Sequence, residues 1–294
     1  MKLFRFGPAG HEQPGVLTAD GRQLDVAAFG QDYDESFFAT AGPVRLAAWL
    51  TAHAASCPAV PAGTRLGSCV VRPSKLVCIG LNYRQHSAET NLGAPTEPVF
   101  FLKATTALCG PHDDVCPPRG STKLDYEAEL ALVIGRRASY VPESEALSYV
   151  AGYCILNDYS ERAFQLERGG QWTKGKSADT FAPLGPWLVT PDELPDPQAL
   201  PIHLTVNGEQ RQDATTADMV FQLPRLLSYV SEFMTLLPGD IISTGSPAGV
   251  AMGMHPPRYL QAGDVVELSI EGLGQQRQRV APHPLAPSPV EREN

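Results

Sequence analysis

Two glutamates introduce an apolar stretch of the chain. Glu127 and Glu129 stand two positions apart in DYEAEL, which continues directly into ALVIG. On a strand, residues i and i+2 point to the same side, so the two carboxylates would lie side by side and repel each other unless a cation holds them. The alternative for Glu-x-Glu is an ordinary solvated strand face. A third oxygen ligand nearby would favour a metal site.

A third carboxylate stands at the end of another apolar segment. Asp158 directly follows GYCILN, and a strand-end carboxylate can converge with Glu127 and Glu129 from a neighbouring strand. Three oxygen ligands suit a hard cation, Mg²⁺ or Mn²⁺ rather than Zn²⁺, and an octahedral ion would keep positions for water or a chelating substrate. Asp158 therefore favours a site for Mg²⁺ or Mn²⁺ at these three residues, and the solvated strand face stays open as the alternative.

A histidine and a glutamate form a second candidate pair. His86 and Glu89 are three residues apart in GLNYRQHSAE. In a helical turn the two side chains would be neighbours, and a carboxylate next to an imidazole raises its basicity and fixes its tautomer. Such a pair could take a proton from water. The alternative is a surface histidine beside a solvated or capping glutamate.

Further polar residues could contact a substrate. Arg162 and Gln165 lie four and seven positions after Asp158, on one face of a helix that could hold a carboxylate or carbonyl group. Lys176, in the predicted loop KGKSADTFAPLGP, suits a cation that stabilises an oxyanion, unless it is simply exposed. Thr244, in STGSPAGV, offers a hydroxyl beside loop N–H groups that could bind a carboxylate, unless this segment is only a Gly/Pro turn.

Composition and charge narrow the class of partner. The chain has 294 residues and a formal net charge of -9 without any Lys/Arg run, which argues against nucleic acid or an anionic membrane as the main partner. A small molecule is the better expectation. The first residues, MKLFRFGPAGHEQPG, break before a signal-peptide core could form, and no apolar run is long enough to span a membrane. We therefore expect a cytoplasmic protein.

The pattern of short elements predicts two domains. Residues 1–70 alternate strand-like pieces with Gly/Pro turns and add a helical stretch near residues 44–54, which indicates a small α+β domain. The Pro-containing segment at residues 57–67 is a candidate linker, and the main domain would cover residues 71–294. One clear helix is predicted at residues 223–236 from its apolar stripe. The other elements of the main domain are predicted strands: PVFFLKA, ELALVIG, GYCILND, GPWLVT, IHLTVNG, DIISTG and DVVELSIEG.

Five ordered blocks give the chain a family resemblance. Over roughly residues 75 to 280 it resembles the fumarylacetoacetate hydrolase family. The resemblance implies an α+β, mainly β fold with a mixed β-roll or sandwich catalytic domain, a small variable N-terminal domain and assembly as a homodimer. The blocks that carry it are GLNYRQHSAE, DYEAEL, NDYSERAFQ, GKSADTFAPLGPW and STGSPAGV.

The same resemblance implies a role for each candidate residue. The metal, Mg²⁺ or Mn²⁺, would be held by the carboxylates, and water would be activated by the histidine and its glutamate on a segment that forms a lid over substrate in relatives. The implied metal ligands are Glu127, Glu129 and Asp158; the implied catalytic residues are His86, Glu89 and Lys176; the implied substrate-binding residues are Tyr83, Arg162, Gln165 and Thr244.

The implied reaction is hydrolysis of a carbon–carbon bond in a 2,4-diketo acid, which gives pyruvate and a hydroxy acid. The stretch SERAFQLERGGQWTKGK resembles family members that act on 2,4-dioxo-3-deoxy-L-fuconate or -rhamnonate, and also ureidoglycolate lyases. The diketo sugar acid is favoured because an intact His–Glu pair implies an activated water. The alternatives are a ureidoglycolate lyase, an oxaloacetate decarboxylase, an acylpyruvate hydrolase, or a ligand-binding module without catalysis.

Overall fold

A computed structural model describes residues 1–89 and 95–282. The predicted lid is therefore described only as far as Glu89, and residues 283–294 of the predicted main domain lie outside the described part. Within the described residues, no helix is both long and apolar enough to cross a membrane.

Short strands make up most of the regular structure. The strands are β1 (Lys2–Phe6), β2 (Gln13–Leu17), β3 (Gln23–Asp25), β4 (Leu76–Gly80), β5 (Val99–Lys103), β6 (Leu108–Cys109), β7 (Leu124–Asp125), β8 (Ala128–Ile134), β9 (Val150–Asn157), β10 (Ser160–Glu161), β11 (Ala182–Val189), β12 (Pro201–Val206), β13 (Glu209–Thr215), β14 (Ile241–Ser243), β15 (Val265–Ile270) and β16 (Gly274–Arg279). The helices are α1 (Glu35–Ala39), α2 (Gly42–His53), α3 (Arg84–Glu89), α4 (Arg162–Leu166), α5 (Thr173–Lys176) and α6 (Leu223–Phe233). The α+β, mainly β fold is as predicted.

The local sequence patterns predicted about half of these elements. The seven predicted strands of the main domain correspond to β5, β8, β9, β11, β12, β14 and β15, and the two predicted helices correspond to α2 and α6. The structure also contains strands that the sequence did not predict, among them β13 and β16, whose sequences EQRQDAT and GQQRQR lack the apolar alternation of a typical strand. Their glutamines at positions 212, 276 and 278 are buried and hydrogen bonded, so amide groups occupy positions that apolar side chains usually fill.

A large mixed sheet forms the centre of the molecule, with strand order β3-β2-β1-β11-β9-β8-β14-β4-β5. All residues of β8 are buried, as expected for a strand covered on both faces. The N-terminal strands continue this sheet because β1 pairs with β11. The predicted domain boundary at residue 70 stays a prediction. A smaller antiparallel sheet has the order β13-β12-β15-β16.

Strand pairing brings the polar blocks of the sequence together. The short strands β7 and β10 pair with Asp125 opposite Ser160, and the Asp158 amide donates to the Glu127 carbonyl at 2.9 Å. In the adjacent β8–β9 pair, Glu129 is opposite Leu156. The block DYEAEL therefore lies beside NDYSER at one end of the central strands.

Candidate active site

Three carboxylates converge at this end of the sheet. Ligand oxygens of Glu127, Glu129 and Asp158 lie within 4.8 Å of one another, and all three residues are buried. The solvated-face alternative is therefore wrong for the two glutamates. An all-oxygen set with this spacing fits a hard divalent cation, so these residues could hold Mg²⁺ or Mn²⁺.

Glu127 is balanced by two cations. Arg162 donates from Nη2 to Glu127 at 2.6 Å, and the Lys176 ammonium contacts the other carboxylate oxygen. Burial alone would raise the pKa of Glu127, but the positive charges of Arg162 and Lys176 outweigh burial and hold this pKa below its usual range. Glu127 therefore remains ionised and ready to bind a metal ion.

Glu129 has a different environment. The Ser243 hydroxyl and the Gly245 amide both donate to its Oε2 oxygen, at 2.5 and 3.1 Å. Burial, followed by the negative charges of Asp158 and Glu127, raises the pKa of Glu129 well above its usual value. A divalent cation at this site would favour the ionised form of Glu129.

Asp158 is held between two buried lysines. Lys176 lies 2.7 Å from its Oδ2 oxygen, and the Lys103 ammonium contacts Oδ1 and also donates to the Tyr159 carbonyl at 3.0 Å. Lys103 was not identified from the sequence. The available signal was a charged residue inside the apolar strand PVFFLKA, at a position that faces the interior.

Lys176 is the last residue of α5 and is almost completely buried, so both the predicted loop setting and the exposed alternative are wrong. Gly175 allows this placement, because a Cβ there would approach the Gln165 amide and the Glu161 carbonyl to 2.5 Å. Burial would lower the pKa of Lys176, but the charges of Asp158 and Glu127 raise it overall. Lys176 therefore stays protonated, which suits a cation that stabilises negative charge and not a general base.

Arg162 and Gln165 share the predicted helix face on α4. Arg162 donates from Nη1 to Gln165 at 3.0 Å and from Nε to Asp125 at 2.8 Å. The helix begins there because the Glu161 carboxylate accepts a hydrogen bond from the Ala163 amide. Both side chains line the same cleft as Glu127, as a role in substrate binding requires.

His86 and Glu89 form the predicted pair on α3. Nδ1 of His86 lies 2.8 Å from Glu89 Oε1, and His86 is buried and lines the cleft. The surface alternative is therefore wrong for His86. The Glu89 carboxylate also accepts from the Gly249 amide at 2.9 Å. Because Glu89 holds a proton on Nδ1, Nε2 becomes the basic nitrogen of His86.

Two predicted substrate contacts lie elsewhere. The buried Thr244 hydroxyl donates to the Leu130 carbonyl at 2.9 Å, and Thr244 does not line the cleft. Tyr83 is buried and lines a separate cavity with Arg84 and Asp218. Within the described part of the chain, the Tyr83 hydroxyl has no hydrogen-bond partner. Substrate binding by Thr244 and Tyr83 stays a prediction.

The lining of the cleft combines charged and apolar side chains. The charged side chains are the glutamates, Arg162 and Lys176, and His86 also lines the cleft. The apolar lining includes Ile79, Leu81, Phe101, Leu166, Trp172 and Met252. A ligand with an anionic, chelating head and an apolar tail would complement both kinds of side chain.

Fold and site define a mainly β protein with three buried carboxylates beside a histidine–glutamate pair. The chain belongs to the Fumarylacetoacetate (FAA) hydrolase C-terminal family, which it matches over residues 75–281. Among curated relatives, a protein of Burkholderia multivorans with a provisional hydrolase name is 52% identical over 279 residues, covering 95% of this chain and 98% of that protein.

Solved structures from the same family include both hydrolases and isomerases. Fumarylacetoacetate hydrolase from Exiguobacterium antarcticum is 36% identical, with TM-score 0.82 and coverage of 96% of this chain and 100% of that one. Maleylpyruvate hydrolase from Sphingobium sp. SYK-6, in complex with manganese (II) ion and pyruvate, is 31% identical, with TM-score 0.80 and the same coverage. 2-Hydroxyhepta-2,4-diene-1,7-dioate isomerase from Mycobacterium marinum is 32% identical, with TM-score 0.72 and coverage of 96% and 98%.

Proposed function

We propose that this protein hydrolyses a carbon–carbon bond of a 2,4-diketo acid and releases pyruvate, with Mg²⁺ or Mn²⁺ as cofactor. The observation that carries the proposal is that the three-carboxylate cluster and the His86–Glu89 pair line or adjoin one cleft. A bound Mg²⁺ or Mn²⁺ would supply a Lewis acid for the dioxo head of the substrate and for the enolate charge that develops as the bond breaks.

The remaining steps of the reaction can be assigned to individual side chains of the cleft. His86, oriented by Glu89, takes a proton from water, and the resulting hydroxide adds to the carbonyl carbon distal to the carboxylate. Protonated Lys176 stabilises the oxyanion. The bond between C3 and C4 then breaks, C3 gains the proton that His86 took from water, and the products are pyruvate and a carboxylic acid. Arg162 and Gln165 are placed to bind the substrate carboxylate.

The side chains that line the cleft influence which acyl group the substrate can carry. The polar side chains of the described lining include the two glutamates, Arg162, Lys176, His86, Gln165 and Ser246, and most of the other lining side chains are apolar. A polyhydroxylated tail would place hydroxyls against side chains such as Ile79 and Phe101, which offer no hydrogen-bond partner. This lining therefore favours an acylpyruvate with an apolar acyl group over the L-fuconate or L-rhamnonate derivatives predicted from the sequence.

An isomerase is a second candidate, because this chain is similar to the Mycobacterium marinum enzyme over nearly its whole length. An isomerase would remove the hydroxyl proton of a 2-hydroxy-dienoate and add a proton to a carbon of the diene, which gives the 2-oxo-enoate, and it would add no water. His86 could serve as the base in that reaction as well. Conversion of a dienoate without release of pyruvate distinguishes this activity.

Metal-dependent pyruvate release tests the proposal directly. We expect acylpyruvates to yield pyruvate with Mg²⁺ or Mn²⁺ and to yield none with EDTA, in a coupled lactate dehydrogenase assay. The other substrates tested are 2,4-dioxo-3-deoxy-L-fuconate and -rhamnonate, oxaloacetate, ureidoglycolate and a 2-hydroxy-diene-dioate. Turnover of only the last three substrates would reject the hydrolase in favour of a decarboxylase, lyase or isomerase, and binding without turnover would favour the ligand-binding module.

The homodimer is also a proposal, and an exposed aromatic surface supports it. Phe233 is 58% exposed and Leu102 is 41% exposed, and the Phe233 ring lies 5.7 Å from that of Phe100. Leu102 and Phe100 belong to β5, an edge strand of the described sheet. Light scattering should give twice the 31.6 kDa chain mass. We expect Phe233→Asp to give the monomer mass, and an unchanged mass in that variant would place the interface elsewhere.

A further inference from the structure

Asp125 is a completely buried carboxylate that the reaction scheme above does not use. Its Oδ2 oxygen accepts from Arg162 Nε at 2.8 Å and from the Met252 amide at 3.1 Å. Its Oδ1 oxygen accepts from the Ala251 amide at 2.7 Å and from the Tyr126 amide at 2.9 Å. One side chain therefore binds both the cation of α4 and the backbone of residues 249–253.

The backbone of residues 249–253 also contacts the catalytic pair. The Gly249 amide donates to both carboxylate oxygens of Glu89, at 2.9 and 3.2 Å. Gly253 packs so closely that a Cβ there would lie 2.6 Å from Glu89 Cδ. The Tyr126 hydroxyl, from the residue after Asp125, donates to the Gly249 carbonyl at 3.0 Å.

We propose that Asp125 is a positioning residue that sets two parts of the active site at once. It fixes the Arg162 guanidinium, which would bind the substrate carboxylate. It also fixes residues 249–253, whose backbone contacts Glu89 and thereby positions His86. The placement of substrate and the placement of the water-activating pair are thereby coupled through one carboxylate. This inference rests on the proposed function.

The hydrogen-bond pattern shows why a carboxylate is required. Asp125 accepts four hydrogen bonds and donates none, and one of its donors is a buried guanidinium. An asparagine of the same shape would turn one acceptor oxygen into an NH₂ group that faces other N–H donors. Glu127 would then have to compensate the positive charge of Arg162 without a second carboxylate, and the Arg162 guanidinium would shift toward Glu127.

The test compares Asp125→Asn with Asp240→Asn. Asp240 is equally buried and accepts hydrogen bonds from the Ser74 hydroxyl and from the amides of Lys75 and Leu237. It lies next to the start of β14, at the end of that strand away from the site. We expect Asp125→Asn to lower kcat and to raise KM, each by about tenfold or more. Asp240→Asn should change kcat and KM by less than about twofold, even if it lowers the melting temperature as much as Asp125→Asn does.

A second variant tests the contact between residues 249–253 and the His86–Glu89 pair. Gly253→Ala places a methyl group against the flexible Glu89 side chain, which can move without unfolding the protein. We expect this variant to lower kcat with little change in KM, because Arg162 and Asp125 are untouched. An unchanged kcat in Gly253→Ala would overturn the proposal, and so would a change in only one kinetic constant of Asp125→Asn.

Hydrogen exchange separates this inference from the proposed function, because it needs no turnover. Asp125 does not touch the Gly249 amide, so a purely local effect would leave exchange at Gly249 unchanged. We expect Asp125→Asn to speed exchange at Gly249 and in residues 84–89 by about tenfold relative to Asp240→Asn. Normal exchange there would refute the coupling even in an active hydrolase, whereas fast exchange in a protein that hydrolyses no diketo acid would refute only the proposed function.

Discussion

Replacing Glu129 with glutamine should weaken metal binding by at least about 100-fold and leave the metal-free protein at least as stable as the wild type. Both hydrogen bonds to Glu129 reach one oxygen, which a carboxamide can supply equally well. Burial and the charges of Asp158 and Glu127 raise the pKa of Glu129 and so disfavour its ionised form in the metal-free protein. A neutral glutamine avoids that cost and takes no compensating charge away from a buried cation.

The same replacement at Glu127 should have the opposite effect on stability. Glu127 neutralises Arg162 and Lys176 in the interior, so Glu127→Gln leaves two buried cations with less compensation. Breaking a buried pair in this way typically costs about 3 kcal/mol or more. Both variants should lose metal affinity by at least about 100-fold, because even changes to residues that only support metal ligands cost about 10- to 100-fold.

Two measurements check this pair of variants. Calorimetric titration with Mn²⁺ gives the metal affinity, and thermal unfolding in EDTA gives the stability of the metal-free proteins. We expect Glu129→Gln to melt at or above the wild-type temperature and Glu127→Gln several degrees below it. Full Mn²⁺ affinity in either variant would remove that residue from the predicted ligand set.

The elements and the acidic cluster could be predicted because their signals are local. The apolar stripe of α6 and the alternation of β12 are visible within single segments. Asp158 could be placed because it ends an apolar strand that was expected to pair with the strand of Glu129, and β9 does pair with β8.

Other parts of the site depend on contacts between distant segments. Lys103 reaches Asp158 across 55 positions of sequence, and this contact requires β5 to pair at the edge of the sheet beyond β4. Asp125 binds the Ala251 amide across 126 positions, although it opens the block that drew attention to Glu127. A single sequence reveals the residue type in both cases and gives no signal for the partner.

Replacement of His86 by alanine should nearly eliminate hydrolysis while preserving the metal site. A general base contributes about 10²- to 10⁴-fold to a rate, and we expect pyruvate release from an acylpyruvate to fall by that factor. Mn²⁺ affinity should remain within about twofold, because the proposed ligands are the three carboxylates. Decarboxylation of oxaloacetate, wherever the wild type shows it, should survive, since that reaction consumes no activated water.

A histidine–aspartate contact outside the cleft provides the matched control for His86. His203 lies 2.9 Å from Asp213 on the smaller sheet, and both side chains are more than half exposed. His203→Ala removes the same chemical group from a similar pair outside the cleft, and its kcat should equal that of the wild type. If His86→Ala still hydrolyses acylpyruvates at the wild-type rate, water is activated without this pair. If His86→Ala loses hydrolysis and decarboxylation together, His86 acts in substrate binding, and the Glu89 contact then orients a binding group instead of a base.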